Sequence, residues 1–140
     1  MEELDCSGFE NRRPWVKGPP LSERRIALIS TAALNLRSDA VYQRDETAFR
    51  IISGDVDPGD VVMSHSSVNF DRTGFQQDLN VCFPLQRLHE MAADGTIGSV
   101  AGFHYTVSGA PHPRDLAESA HAIAKSMKAE AVDTVLLVPI

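Results

Sequence analysis

The side chains best suited to chemistry are concentrated in residues 64–80, SHSSVNFDRTGFQQDLN. His65 is of the right type for a general base or an anion contact, and Asn69 offers an amide. Asp71 and Arg72 could orient a substrate or simply pair with each other. The plainer use of such a stretch is a polar loop that bonds its own backbone and caps neighbouring helices. Asp78 and Asn80 suit that capping role ahead of Pro84. Ser, His and Asp together invite a hydrolase reading on His65 and Asp71, yet the sequence has no Gly-x-Ser-x-Gly elbow. The five histidines, His65, His89, His104, His112 and His121, are scattered without ligand spacing, so no metal site is predicted. Glycine-rich nucleotide loops are absent as well. Cys82 lies between Val81 and Phe83, where a thiol is more readily inert packing than a nucleophile.

These residues need a scaffold, and the apolar pattern predicts one. RIALIST at residues 25–31 is short, apolar and β-branched, as buried parallel strands are. Residues 32–35 then fall at its carboxyl end, where open α/β sheets bind ligands. Further strands are predicted at 49–52, 61–65, 97–106 and 133–140, with a turn at 54–60. A helix is predicted from Pro84 to Asp94, with Pro at its first position and Gly95 at C′. A second runs from Pro113 to about Glu130, with acids in its first turn and lysines near its end. Residues 1–22, rich in proline and polar groups, read as an extended arm for which Trp15 argues a wrapped rather than frayed path. Residues 23–140 then form an α/β domain with a mostly parallel sheet and flanking helices, doubly wound in the flavodoxin or Rossmann manner. The domain is expected to be incomplete, because a buried parallel strand is normally followed by a covering helix.

Composition narrows the partners. Thirteen Lys and Arg against nineteen Asp and Glu give a net charge of −6. Residues 1–25 carry five of each sign, so the acidic excess lies downstream and no basic stripe is hidden. Nucleic acid and anionic membrane surfaces are disfavoured as partners. Apolar runs are too short to span a bilayer, and the acidic first residues lack the layout of a signal peptide. Two cysteines make no disulfide framework, so a cytoplasmic protein is expected.

The motif Ser64-His65-Ser66, with Asn69, Asp71 and the run Asp78-Leu79-Asn80-Val81-Cys82-Phe83-Pro84-Leu85, is followed by Gly95-Thr96-Ile97-Gly98-Ser99-Val100 and His104-Tyr105. Together they resemble the selenoprotein B family of glycine, sarcosine, betaine and D-proline reductases. The opening strand, residues 26–33, and the closing strand, residues 132–139, fit the same pattern, and the similarity covers roughly residues 10–140. The resemblance implies an oxidoreductase that reductively cleaves a carbon–nitrogen bond α to a carboxylate. The nucleophile would be a selenocysteine, or a cysteine in its place, directly after Ile140. On that expectation the catalytic residue lies outside these 140 residues, through a selenocysteine codon read as stop, and the chain alone is inactive. A pyruvoyl-bearing subunit and a thiol electron donor are the implied partners, the substrate a small amino-acid-like molecule, and an oligomer is possible. No cofactor is expected within this chain.

Parallel strands bring their carboxyl ends to one edge, so residues 64–80 are expected beside the end of the last strand. His65 and Asn69 would there bind a substrate carboxylate or steady the selenolate, with Asp71 orienting a neighbour. His104, taken to follow a strand at 97–103, is placed at that edge by the same reasoning. A reading from another class is a non-catalytic α/β module whose last strand pairs with a partner chain.

Overall fold

The computed structural model describes residues 15–69 and 71–140. Most of the arm expected at residues 1–22 lies outside the described residues. Its remainder reaches the domain through a 3₁₀ turn at Leu21–Glu23. Trp15 is 84% exposed, which corrects the expectation that it is buried.

The fold is α/β with a mostly parallel sheet, as the apolar pattern predicts. β1 (Arg25–Ser30) lies at its centre. Its odd-numbered backbone groups face β7 (Thr134–Val138), paired in parallel over five residues. Its even-numbered groups face β5 (Ser99–Val100) and then β6 (Phe103–Thr106), both also parallel. β3 (Arg50–Ser53) completes the sheet beyond β6, but antiparallel. A separate antiparallel pair joins β2 (Leu34–Leu36) to β4 (Val61–Met63).

Alternation along β1 assigns its side chains to two cores. Ile26 and Leu28 pack with Leu34, Ile52, Phe83, Leu85, Leu88 and Ile97 beneath α2 (Leu85–Ala93). Ala27 packs with Ala101, Tyr105, Val107, Ile123 and Met127 beneath α3 (Ala117–Ala129). Helices therefore cover both faces of the sheet. α2 ends as predicted, with Gly95 at φ +79°. α3 starts later than predicted, after a series of turns that follow Pro113.

Three features depart from the predicted scaffold. The segment at 64–80 is not wholly irregular, since it holds α1 (Thr73–Gln77) and a 3₁₀ turn at Leu79–Val81. β7 is less buried than its apolar sequence predicts, with Val135, Leu136 and Leu137 exposed. The strand predicted at 97–106 is broken at Ala101-Gly102. Ile26 pairs with Val100, yet Ile29 pairs with Tyr105, so two extra residues are looped out.

That break would leave the Leu28 N–H without a strand partner. His104 fills the gap: its Nδ1 accepts from Leu28 N at 3.0 Å. His104 therefore lies inside β6, fully buried against the edge of the Phe83 ring, not beyond a strand end. The proton must sit on Nε2, which has no hydrogen-bond partner among the described residues. Burial, with nearby His89, lowers its pKa from 6.5 to about 4.

This geometry makes two predictions. The unfolded chain protonates His104 near pH 6.5 and the folded chain only near 4. Its contribution to stability is thus complete above 6.5 and lost as pH falls towards 4. His104→Phe keeps the ring but orphans Leu28 N, and should cost about 1–3 kcal/mol at pH 7.5 in urea unfolding. The variant should also lose part of the acid slope between pH 6.5 and 4. An unchanged midpoint with an unchanged slope would refute the role. Second, a Cβ on Gly98 would lie 2.4 Å from the Glu23 carbonyl carbon, backbone that cannot rotate away. Gly98→Ala should cost at least about 2 kcal/mol. Gly95→Ala, in open space but left-handed, should cost about 1–2 kcal/mol. Equal midpoints for wild type and Gly98→Ala would disprove the close approach.

Candidate functional site

The carboxyl ends of β1, β6 and β7 meet at one edge, and each is tied to the next by backbone. Thr31 N donates to Val138 O, Val107 N to Ser30 O, and Ala33 N to Val107 O. Ile140 is held twice by Thr31, its N–H donating to Oγ1 at 2.8 Å and its carbonyl accepting from Oγ1 at 3.2 Å. Directly after β1 the chain turns at Ala33, whose φ of +52° is left-handed and costs an alanine about 1–2 kcal/mol. That turn lets the Ala33 carbonyl accept from Ser64 N, delivering the segment after β4 to this edge.

An opening of about 640 Å³ results, lined by Arg44, His65, Ser66, Ser67, Ser108 and Ile140 among others. His65 Nδ1 accepts from Ser67 N at 3.2 Å. The ring also hydrogen-bonds the Ile140 backbone, a bond that favours the protonated form and is therefore donated by the ring. With Nδ1 already accepting, the donor is Nε2–H. Burial and the Arg72 guanidinium outweigh this bond and hold the His65 pKa below the ordinary histidine value. The imidazole is thus neutral at pH 7, bridging its own loop to the end of the last strand.

Arg72 does not pair with Asp71. Its Nη2 donates to the carbonyls of His65 and Ser67, folding the loop back on itself. Asp71 is exposed, and it accepts from the Thr73 side chain and from Thr73 N at the start of α1, which together hold its carboxyl below the usual range. Asn69 is exposed, with its N–H donating to Ser67 Oγ. The structure therefore brings His65 to Ile140, while Asn69, Asp71 and His104 do not line the opening. Asp78 Oδ1 accepts from Asn80 N, and Asn80 Oδ1 from Arg87 N in α2, so this pair performs local capping.

Arg44 and Ser108 were not singled out from sequence. Arg44 belongs to a polar turn that reads as solvated, and only the tertiary fold carries it to the opening. Cys82 is buried, and burial pushes its thiol up to about 11, so it stays protonated. No cluster of three or more His, Cys, Asp or Glu suited to a metal occurs among the described residues. No described helix is long and apolar enough to cross a membrane.

Residues 49–139 match the family model for glycine/sarcosine/betaine reductase selenoprotein B. The chain is 28% identical over 120 residues to a D-proline reductase subunit gamma of Acetoanaerobium sticklandii, covering 84% of this chain and 49% of that protein. It is 26% identical over 140 residues to a glycine reductase complex component B subunit gamma of Carboxydothermus hydrogenoformans, covering 96% of this chain and 32% of that protein. The chain thus spans about half the length of the first relative and a third of the second. No solved structure matches it. With the matched region taking in β3 through β7 and the His65 loop, the chain belongs to the glycine/sarcosine/betaine reductase selenoprotein B family.

Proposed function

We propose that this chain is part of the selenol- or thiol-dependent subunit of an amino-acid reductase, cleaving a carbon–nitrogen bond α to a carboxylate. The observation that carries the reading is the hydrogen bond between His65 and the Ile140 backbone. The reactive residue is proposed to follow Ile140 directly, so it would enter the same opening. A selenol supplies a nucleophile that is largely ionised at neutral pH, unlike a thiol of pKa about 8.5. The lining suits such an anion, with a guanidinium, an imidazole and hydroxyls but no carboxylate side chain among the described lining residues.

His65 acts here as a positioning residue. Its neutral ring fixes the backbone from which the reactive side chain would project, and Thr31 fixes the same residue from the other side. The net change adds two electrons and two protons: the amine leaves and a C–H bond replaces C–N. A dithiol donor, oxidised to a disulfide, supplies the electrons, and a pyruvoyl-bearing subunit is the proposed partner for substrate activation. Glycine, sarcosine, betaine and D-proline are the proposed substrates. A cytoplasmic location fits this chemistry. The exposed Val135, Leu136 and Leu137 of β7 favour a second reading, an assembly module whose last strand pairs with a partner chain.

The test uses the full-length native protein with a dithiol and each of the four compounds, measuring amine release or ring opening. Turnover of at least one, lost on alkylation of the reactive residue, is expected. No turnover of any, with the partner subunit present, would overturn the reductase reading. In the active protein, His65→Ala should lower kcat by up to about a hundredfold with little change in KM, as misplacement does. His65→Gln, able to accept from Ser67 and donate to Ile140, should restore part of it. Wild-type kcat in His65→Ala would remove the positioning role.

A further inference from the structure

Arg44 is the remaining cation of the opening, and its surroundings are built rather than incidental. It sits in the connection between β2 and β3, which is anchored to both sides of the domain. On one side, the buried Tyr42 hydroxyl donates to the Thr106 carbonyl at 2.7 Å, at the carboxyl end of β6. On the other, the Thr47 carbonyl accepts from Ser119 Oγ of α3 at 2.6 Å. Between these anchors, Glu46 Oε2 accepts from Gln43 N and closes the turn that holds Arg44.

The neighbouring arginine is fully engaged. Arg50 pairs with Glu46 at 2.6 Å and lies over the Tyr42 ring at 4.4 Å. The Asp-rich character of the chain offers Arg44 many partners, yet it makes no hydrogen bond or ion pair with any described residue. Instead it lines the opening with His65, Ser108 and Ile140. The far wall is close-packed: a Cβ on Gly109 would meet the Thr31 carbonyl at 3.2 Å and the Ile140 carbonyl at 3.5 Å. A close-packed wall, a guanidinium on an anchored stretch of backbone and no opposing carboxylate side chain among the described lining residues favour a small planar anion.

We propose that Arg44 binds the substrate carboxylate, setting the α-carbon against the position reached by the residue after Ile140. This rests on the reductase reading given above and assigns to its site the group that discriminates carboxylates from analogues lacking one. A guanidinium forks two N–H groups onto one carboxylate, a geometry that lysine does not reproduce. The Ser108 hydroxyl, already accepting from Ala110 N at 3.3 Å, keeps its own proton to offer the same ligand.

The experiment compares wild type, Arg44→Met and Arg44→Lys in the full-length native protein with its partner subunit. Arg44 is exposed and outside the cores, so folding should be unaffected, and equal unfolding midpoints check this. Calorimetric binding of betaine, D-proline and glycine, with glycinamide as the probe that lacks a carboxylate, is measured beside KM and kcat. Arg44→Met should weaken carboxylate binding, and raise KM, by about tenfold to a hundredfold. Arg44→Lys should recover only part, and glycinamide should bind all three proteins equally weakly. Turnover with an unchanged KM in Arg44→Met would overturn this inference and leave the reductase reading standing. Arg44-dependent carboxylate binding without turnover would do the reverse. No carboxylate binding by wild type would overturn the inference outright.

Discussion

The hydrogen bond from Leu28 N to His104 Nδ1 is the constraint on which the sheet's geometry depends. A central parallel strand must satisfy its backbone on both edges, since an orphaned buried N–H costs about 1–3 kcal/mol. β5 and β6 together cannot do this for β1, because two residues are looped out between them. The loop is held on its own account: Gly102 N donates to Glu130 Oε2 and Gly102 O accepts from Gly54 N. The imidazole then completes the ladder where backbone is missing. A side chain doing the work of a strand must be uncharged and must accept, and burial enforces both conditions.

The looped-out pair sets the register of everything C-terminal to it. β6 reaches the carboxyl edge with Thr106 opposite Ser30. The Thr106 hydroxyl accepts from Leu34 N and starts β2, while its carbonyl accepts from Tyr42 and anchors the Arg44 turn. A one-residue change in register would turn Tyr105 out of the core under α3 and break both anchors. The opening at the strand ends is thus assembled from a defect in the middle of the sheet.

Much of this was legible in the residues. The unbroken apolar run of β1, the Pro84 and Gly95 punctuation of α2 and the dipole-matched charges of α3 each announced their element. What escaped depends on pairing across the chain. Residues 97–106 read as one strand because Ala101-Gly102 breaks it only against a partner. β3 read as one more strand, with nothing local to mark it antiparallel. Three-residue β2 is too short to show a period, whereas β4 falls within the strand expected at 61–65. In the site, His65 stood out by residue type, and the rule that parallel strand ends converge at one edge led it to Ile140. His104 misled under the same rule, which places a residue only if the strand boundary is right. Asp71 and Arg72 looked like a pair, yet each found backbone instead, since a turn offers nearer partners than a neighbouring side chain does.

Two arginines at this edge show how one residue type divides between structure and recognition. Arg72 donates to carbonyls of its own loop, and its charge adds to burial in holding the His65 pKa below the ordinary histidine value. Neutrality matters because a protonated ring could not accept from Ser67 N while donating to Ile140. Arg44 meets no carbonyl and no acid among the described residues, and its backbone runs between the anchors at Tyr42 and Thr47. In a chain with a net charge of −6, the long-range field would not draw in an anion. Local geometry has to supply the attraction, within a Debye length of about 8 Å at physiological salt. The Arg44 guanidinium, which meets no partner among the described residues, lies at the strand ends where such a local attraction would act.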